Sequence, residues 1–369
     1  MPDDFGGPPW HELASTVLQR SLGLRSGQSV IIETWTHTLR AAEILSVEAR
    51  RLGIRPLILH VPEWSFYESQ RTATPSDANA LARAELAAAA ASDGYILLPP
   101  GPEDHRRREG LSRAHRQAYV RRQSDWHRIL VHNAVPSVHL MAASVTASAA
   151  RHYRVDLKSW RKESFRASAV PPNRLRREGR LLSKRLQQGH RVTITHANGT
   201  HLELGLAGRL PLIDDGKVDA HDVRNGRIGS VVPGGYLSVT VDERIAEGKF
   251  VSNRPSRLRR GLMSNLQWTF RNGRLAHHEI GRGKTLFDDS YRTAGREKDR
   301  PAVLLIGLNP EIRDFPLAED QESGVVTVEI GHNEDFGGRT RGTFRSFATL
   351  RGADLYVDDE LLLRRGRRI

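Results

Sequence analysis

The hydrophobic periodicity of the chain changes character near residue 170, and no other feature constrains the fold as tightly. Before that point, short β-branched runs alternate with helical patterns. Residues 29–34 follow the turn Ser26-Gly27 and carry Val30, Ile31 and Ile32 in succession, which predicts a buried strand. Residues 39–52 then place Ala41, Ile44, Leu45, Ala49 and Leu52 at helical spacing. By the same criteria 56–61, 94–98 and 128–132 are further strands, and the Ala-rich segment 77–91 is a helix. Strands and helices in alternation, with short connections, predict a parallel sheet covered by helices.

Pro171-Pro172 marks the change. A basic amphipathic helix covers 175–186, and closely spaced strands follow. Residues 191–196 and 200–206 flank Asn198-Gly199, and 266–270 and 274–279 flank Asn272-Gly273, both of them hairpin turns. Segments 236–241, 303–306, 325–330 and 354–357 complete the series. The expected architecture is an α/β domain with a parallel sheet over 1–170. A mostly antiparallel β-rich (α+β) domain over 171–369 follows it without a long linker and carries the pocket.

Several classes of function drop out. The chain has no cysteine, so it has no disulfide framework, thiolate nucleophile or sulfur-based zinc site. No G-x-G-x-x-G follows the first strand, which removes the dinucleotide reading. No run of about 18 apolar residues predicts a membrane span. The start, Met1-Pro-Asp-Asp-Phe5, lacks a basic and an apolar region, so a cytoplasmic protein is expected. Lys and Arg total 56 against 43 Asp and Glu, a formal net charge of +13. The arginine clusters 106–108, 121–122, 176–177, 259–260 and 364–365 are scattered along the sequence and accompany no nucleic-acid-reading module. Nucleic acid is a possible partner without support at this level.

Five segments occur in a telling order: Asn198-Gly199-Thr200-His201-Leu202, Pro233-Gly234-Gly235-Tyr236, Gly307-Leu308-Asn309-Pro310, Gly331 through Gly338, and Asp354 through Asp359. In order and spacing, from about Arg191 to the C-terminus, the chain resembles the aminopeptidase T-type metallopeptidases and the related 2,5-dihydroxypyridine dioxygenases. The stretch Gly331–Gly338 followed by Arg345 and Asp354 is similar to the dioxygenase branch in particular. The resemblance implies an N-terminal α/β domain, a C-terminal antiparallel domain and a homodimer. It also implies metal ligands at positions where this chain has Tyr236, Val303, Thr327, Arg345 and Phe347. These side chains do not supply the carboxylate and imidazole donors that a divalent ion needs, and Arg345 repels a cation. The expectation is a metal-independent protein with no cofactor.

In the relined cavity, Tyr236, Glu334 and Arg345 are the candidate catalytic residues. Tyr236 offers a phenolic proton, Glu334 (with Asp335) a base, and Arg345 a permanent positive fork for an anionic or carbonyl oxygen. Arg339, Arg341, Asn309 and Asn333 are candidates for substrate binding. The expected ligand is a small anionic or peptide-like molecule containing a carboxylate or amide. A non-catalytic binding or scaffold protein, and residual metal-dependent aminopeptidase or dioxygenase activity, are the alternatives. Asp214, Asp215, Asp219, His221 and Asp222 form a second acidic group, expected as a solvated loop, with a new metal site at Asp214, Asp219 and His221 left open. His196 and His201 flank the first hairpin turn and are expected as two surface histidines, with a meeting across the turn as the alternative.

Overall fold

The computed structural model describes residues 8–101, 110–258, 261–292, 294–342 and 344–369. The arginine clusters 106–108 and 259–260 and the start of the chain lie outside them, as does the Asp335 side chain. The chain divides into two units. One runs to Ala169 and takes in Gly216–Pro233; the other is Val170–Asp215 with Gly234–Ile369. A segment thus returns to the first unit, which a single boundary at 170 does not anticipate.

In the first unit, β1 (Ser29–Trp35) buries Val30, Ile31 and Ile32 almost completely, as a strand covered on both faces requires. It pairs in parallel with β2 (Arg55–Val61) and β3 (Gly94–Leu97). β4 (Ser137–Leu140) pairs with β3 in parallel, and the sheet order is β2-β1-β3-β4 followed by the returning strand 229–232. Helix α1 (Pro8–Thr16) and α2 (Leu39–Arg51) cover it, α2 burying Ala41, Ala42, Ile44, Leu45 and Ala49. After α3 (Glu63–Thr72), the Ala-rich segment is interrupted. A 3-10 turn at Asp77–Asn79 precedes α4 (Arg83–Ala90), whose start is set by the Glu85 carboxylate accepting from the Ala82 amide at 2.7 Å.

The strand expected at 128–132 is instead the last turn of α5 (Arg113–His132). Three apolar residues in a row cannot separate strand from helix. Trp126 and Leu130, four residues apart, are buried by α5 together with Ala118, and the true strand follows the Asn133 terminus. Helices α6 (Ala147–Tyr153) and α7 (Leu157–Ala169) complete the first pass.

In the second unit, α8 (Pro172–Gln188) lays Leu175, Leu182 and Leu186 on the core. The hairpin of β5 (Arg191–His196) and β6 (Thr200–Leu206) turns at Asn198-Gly199 and leads to β7 (Leu212–Asp214). His196 stands opposite Thr200 and His201 opposite Thr195, so the two histidines occupy opposite faces and do not meet. The return segment holds α9 (Ala220–Arg224) and β8 (Gly229–Val232), which joins β4 in parallel.

β9 (Tyr236–Val251) runs ten residues beyond the expected end at 241. Around it lie β10 (Ser256–Leu258), β11 (Gly261–Arg271), β12 (Arg274–Arg282), α10 (Lys284–Arg292), β13 (Pro301–Gly307), β14 (Val326–Gly331), β15 (Arg345–Leu350), β16 (Asp354–Val357), β17 (Glu360–Arg364) and β18 (Arg367–Arg368). The antiparallel order is β15-β14-β13-β9-β6-β5-β16-β17-β18, with β11 and β7 also on β9. Trp268, Phe250 and Phe270 are the largest fully buried side chains of its core. Among the described residues no helix is long and apolar enough to cross a membrane.

Two glycines with similar backbone angles separate local strain from packing. Gly199 has φ +94° with open space where a Cβ would stand, whereas at Gly324, φ +79°, a Cβ would meet the carbonyl of Gly366. Gly199→Ala is expected to cost about 1 kcal/mol, the left-handed penalty alone. Gly324→Ala adds the displacement of the β17–β18 turn and costs at least twice as much. Urea melts of the two variants measure the difference.

Candidate functional site

The period of two along β9 assigns its side chains to opposite faces. Leu237, Val239 and Val241 enter the apolar core with Leu304, Ile306, Val326, Val328, Ile330, Ala348 and Leu350. The other face carries Tyr236, Ser238 and Thr240. Cross-strand partners share a face, which extends it across the sheet. Asp214 stands opposite Tyr236, and Val303 opposite both Thr240 and Glu329. Thr327 stands opposite Thr349, and Glu329 opposite Phe347. This second face is polar and yet buried: Ser238, Thr240 and Thr327 are 1% exposed, Thr349 0% and Glu329 8%. Thr327 and Thr349 share a hydroxyl hydrogen bond of 3.2 Å. The hydroxyls of Ser238 and Thr240 have no hydrogen-bond partner among the described residues, an uncommon state for buried polar atoms and one that calls for an explanation.

The charges converge at one end of this face. Burial holds the Tyr236 phenol well above its usual range, and the negative charges of Asp214, Asp320 and Glu329, with a hydrogen bond to Asp214, push the same way. Asp320 is raised to about 6, first by burial and then by Asp214, while Arg345 pulls it back. The Arg345 guanidinium stands 3.6 Å from the Glu329 carboxylate and 5.0 Å above the Phe336 ring. Phe336 and Tyr236 pack on the small apolar group Ala302, Val303 and Leu305. Next to Asp320, the buried Glu319 is raised to about 7 by its burial, against the pull of Arg257 at 3.2 Å.

Glu243 organises a second group roughly 20 Å further along β9, at about 3.3 Å per residue. Its carboxylate accepts from both terminal nitrogens of Arg209 at 2.8 Å, from the Asn333 amide at 3.0 Å and from the Arg339 backbone at 2.9 Å. Burial alone would raise its pKa, but these donors outweigh it and lower it to about 2. The cleft beside it measures about 420 Å³ and is lined by Arg209, Arg244, Arg300 and Arg339 together with Asp242 and Glu297.

The expected residues therefore divide. Tyr236 and Arg345 share the carboxylate-rich end of the buried face. Asn333 is 0% exposed, its carbonyl accepting from the Thr340 amide, and with the Arg339 backbone it belongs to the Glu243 group. Glu334 and Arg341 form an exposed ion pair of 2.8 Å. Asn309 is also 0% exposed; it donates to the Gly234 carbonyl at 2.7 Å and accepts from the Glu311 amide, which pins the two glycine-containing turns together.

The second acidic group is not a solvated loop throughout. Asp215 is 2% exposed and pairs with Arg176 at 2.6 Å, while Asp219 caps α9 through the His221 and Asp222 amides. Asp320 and Glu329 were not legible as site residues. Glu329 left one signal, a lone charge in the apolar run Val325–Ile330.

A divalent ion does not fit the positions implied by the resemblance. Val303 is fully buried among apolar side chains, Thr327 is bonded to Thr349, and Arg345 brings a positive charge. Among the described residues, no three of His, Asp and Glu are grouped so as to hold a metal.

Comparison with solved structures finds the same fold. The wild-type AmpT of Thermus thermophilus superposes with a TM-score of 0.75 at 16% identity, over 98% of this chain and 99% of that one. The 2,5-dihydroxypyridine dioxygenase of Pseudomonas putida KT2440 gives 0.64 at 15% identity, over 99% and 98%. The fold implied by the sequence resemblance is thus the fold of this chain. No protein-family model matches the sequence, and no curated protein matches it.

Two carboxylates are expected to move stability in opposite directions. Asp320 titrates at about 6 in the fold against 3.8 ordinarily, so the unfolded chain loses this proton first as pH rises. Stability falls between pH 4 and 6, and Asp320→Asn is expected to gain about 2 kcal/mol at pH 7.5 and nothing near pH 3.5. Glu243, depressed to about 2 from 4.5, contributes stability that is present above pH 4.5 and lost as pH falls toward 2. Glu243→Gln is therefore destabilising at pH 7.5, by about 2–3 kcal/mol. Denaturant melts across pH check both signs.

Proposed function

We propose that the buried polar face around Tyr236 binds a small molecule carrying an ammonium group beside an amide or carboxylate oxygen, and acts on it without a metal ion. The observation that carries this reading is the charge balance. Asp214, Asp320 and Glu329 surround Tyr236, and Arg345 is the cation among them. A purely anionic ligand meets net negative charge there. A ligand that presents its ammonium to the carboxylates and its carbonyl oxygen to Arg345 is matched at both ends.

The same residues have the properties needed for acid–base cleavage of an amide. A carboxyl group titrating at about 6 is populated in both forms near neutrality. Ionised, Asp320 takes a proton from water as the water oxygen bonds to the carbonyl carbon. The guanidinium of Arg345 offsets the negative charge that develops on the carbonyl oxygen. Asp320 then returns the proton to the nitrogen as the C–N bond breaks, releasing an acid and an amine. Tyr236 stays a neutral phenol throughout and serves as a hydrogen-bond donor. Glu329 positions Arg345, and Asn309 and Asn333 hold the surrounding turns. The unpartnered hydroxyls of Ser238 and Thr240 suit a second reading, a binding pocket without turnover.

Calorimetry in EDTA with an aminoacyl amide, its N-acetylated form and the corresponding free carboxylic acid tests this. The unblocked amide is expected to bind, with acetylation and Arg345→Gln each weakening it at least tenfold. Where the amide is cleaved, Asp320→Asn removes the rise in rate near pH 6. Binding without cleavage selects the second reading. Tighter binding of the acetylated form, or binding only after a divalent metal is added, overturns the proposal.

A further inference from the structure

Helix α8 carries Arg174, Arg176, Arg177, Arg180, Lys184 and Arg185 against a lone acid, Glu178. Leu175, Leu182 and Leu186 face the core, and Gly179 is held so close to Ile213 that a Cβ would come within 2.9 Å of it. The cations are therefore displayed on the opposite side. Two ion pairs join this helix to the hairpin of β17 and β18: Arg185 with Glu360 at 2.8 Å, and Arg368 with Glu178 at 3.1 Å. That hairpin contributes Arg364, Arg365 and Arg367, all exposed. The clusters 176–177 and 364–365, nearly two hundred residues apart in sequence, thus lie on one joined helix–hairpin pair.

Within it, Arg174, Arg177, Arg180 and Lys184 of the helix and Arg364, Arg365 and Arg367 of the hairpin have no side-chain acidic partner among the described residues. Arg177, Arg180 and Lys184 follow one another at helical spacing along about 10 Å of helix, at 1.5 Å per residue. Asn173, Leu181 and the cations of α8 from Arg176 to Arg185 line a trough of about 650 Å³ on this face.

We infer that this surface binds the phosphate backbone of double-stranded nucleic acid without reading sequence. Guanidinium groups match phosphate oxygens in a planar fork, and a row of unpaired ones gains by releasing condensed counterions. The patch residues include no aromatic side chain on which unstacked bases could lie, so single strands are the poorer ligand. An anionic membrane is the poorer fit, because Leu175, Leu182 and Leu186 are committed to the core and Leu181 is the one leucine of the helix left exposed for insertion. Bases need not be contacted for this mode of binding.

Fluorescence anisotropy of a labelled 20-base-pair DNA duplex with the full-length protein tests the inference. Affinity is expected to fall about 100-fold between 50 and 200 mM salt, as four phosphate contacts require. The triple variant Arg177→Gln/Arg180→Gln/Lys184→Gln should lose at least tenfold in affinity and flatten the salt dependence, with an unchanged melting curve. Arg50→Gln/Arg51→Gln, on α2 of the other unit, should leave binding as it was. The inference is overturned by any of four results: no duplex binding at 50 mM salt, an unaffected triple variant, equal or tighter binding of a 20-nucleotide single strand, or binding to phosphatidylserine vesicles in place of duplex.

Discussion

The pairing of β9 is the constraint on which the second unit depends. This strand bonds to β13 and β7 along its first residues and to β6 and β11 further on. Its alternation fixes the two faces for every neighbour in register with it. A slip of one residue would turn Leu237, Val239 and Val241 out of the core and carry Tyr236, Ser238 and Thr240 into it. The apolar face supplies the penalty that prevents this slip, and the polar face inherits its order from that penalty. The candidate site is thus positioned by residues that take no part in it, which lets its own side chains be polar, charged and partly unpaired.

The chemistry of that face also departs from what single residues suggest. Arg345 taken alone is a site for anions. In place, it stands against Glu329 and lowers the charge cost of Asp320, so its field is largely spent on the protein's own carboxylates. The character of that face follows from the sum, in which three carboxylates stand with one guanidinium. Arg339 differs again: its backbone is committed to Glu243 while its side chain lines an exposed cleft. Residues adjacent in one loop therefore serve the frame and the surface in turn.

Much of the fold was legible because its signals are local. Asn198-Gly199 and Asn272-Gly273 each fix a hairpin through their own backbone, and Val30-Ile31-Ile32 declares a covered strand. The failure at 128–132 came where local chemistry is ambiguous and only the partner of Trp126 and Leu130 decides. Tyr236 and Arg345 were singled out through motif order. Asp320 was not, because nothing in its own segment shows that it will stand beside Tyr236 and Asp214, more than eighty residues earlier in sequence. The basic surface was hidden for the same reason: arginine pairs scattered in the sequence become neighbours only once α8 and the β17–β18 hairpin are joined.

The passage of the chain out of the first unit after Ala169 and back for Gly216–Pro233 has a bearing on how the protein is made. β8 closes the edge of the parallel sheet beside β4, where Val138 and Leu140 are 0% exposed, yet the ribosome delivers it only after β5, β6 and β7. Until then the nascent first half holds an open, apolar sheet edge, the kind that recruits other strands. Its completion must wait for part of the second half, so the first half cannot be cut from the gene as a self-sufficient cassette at residue 170.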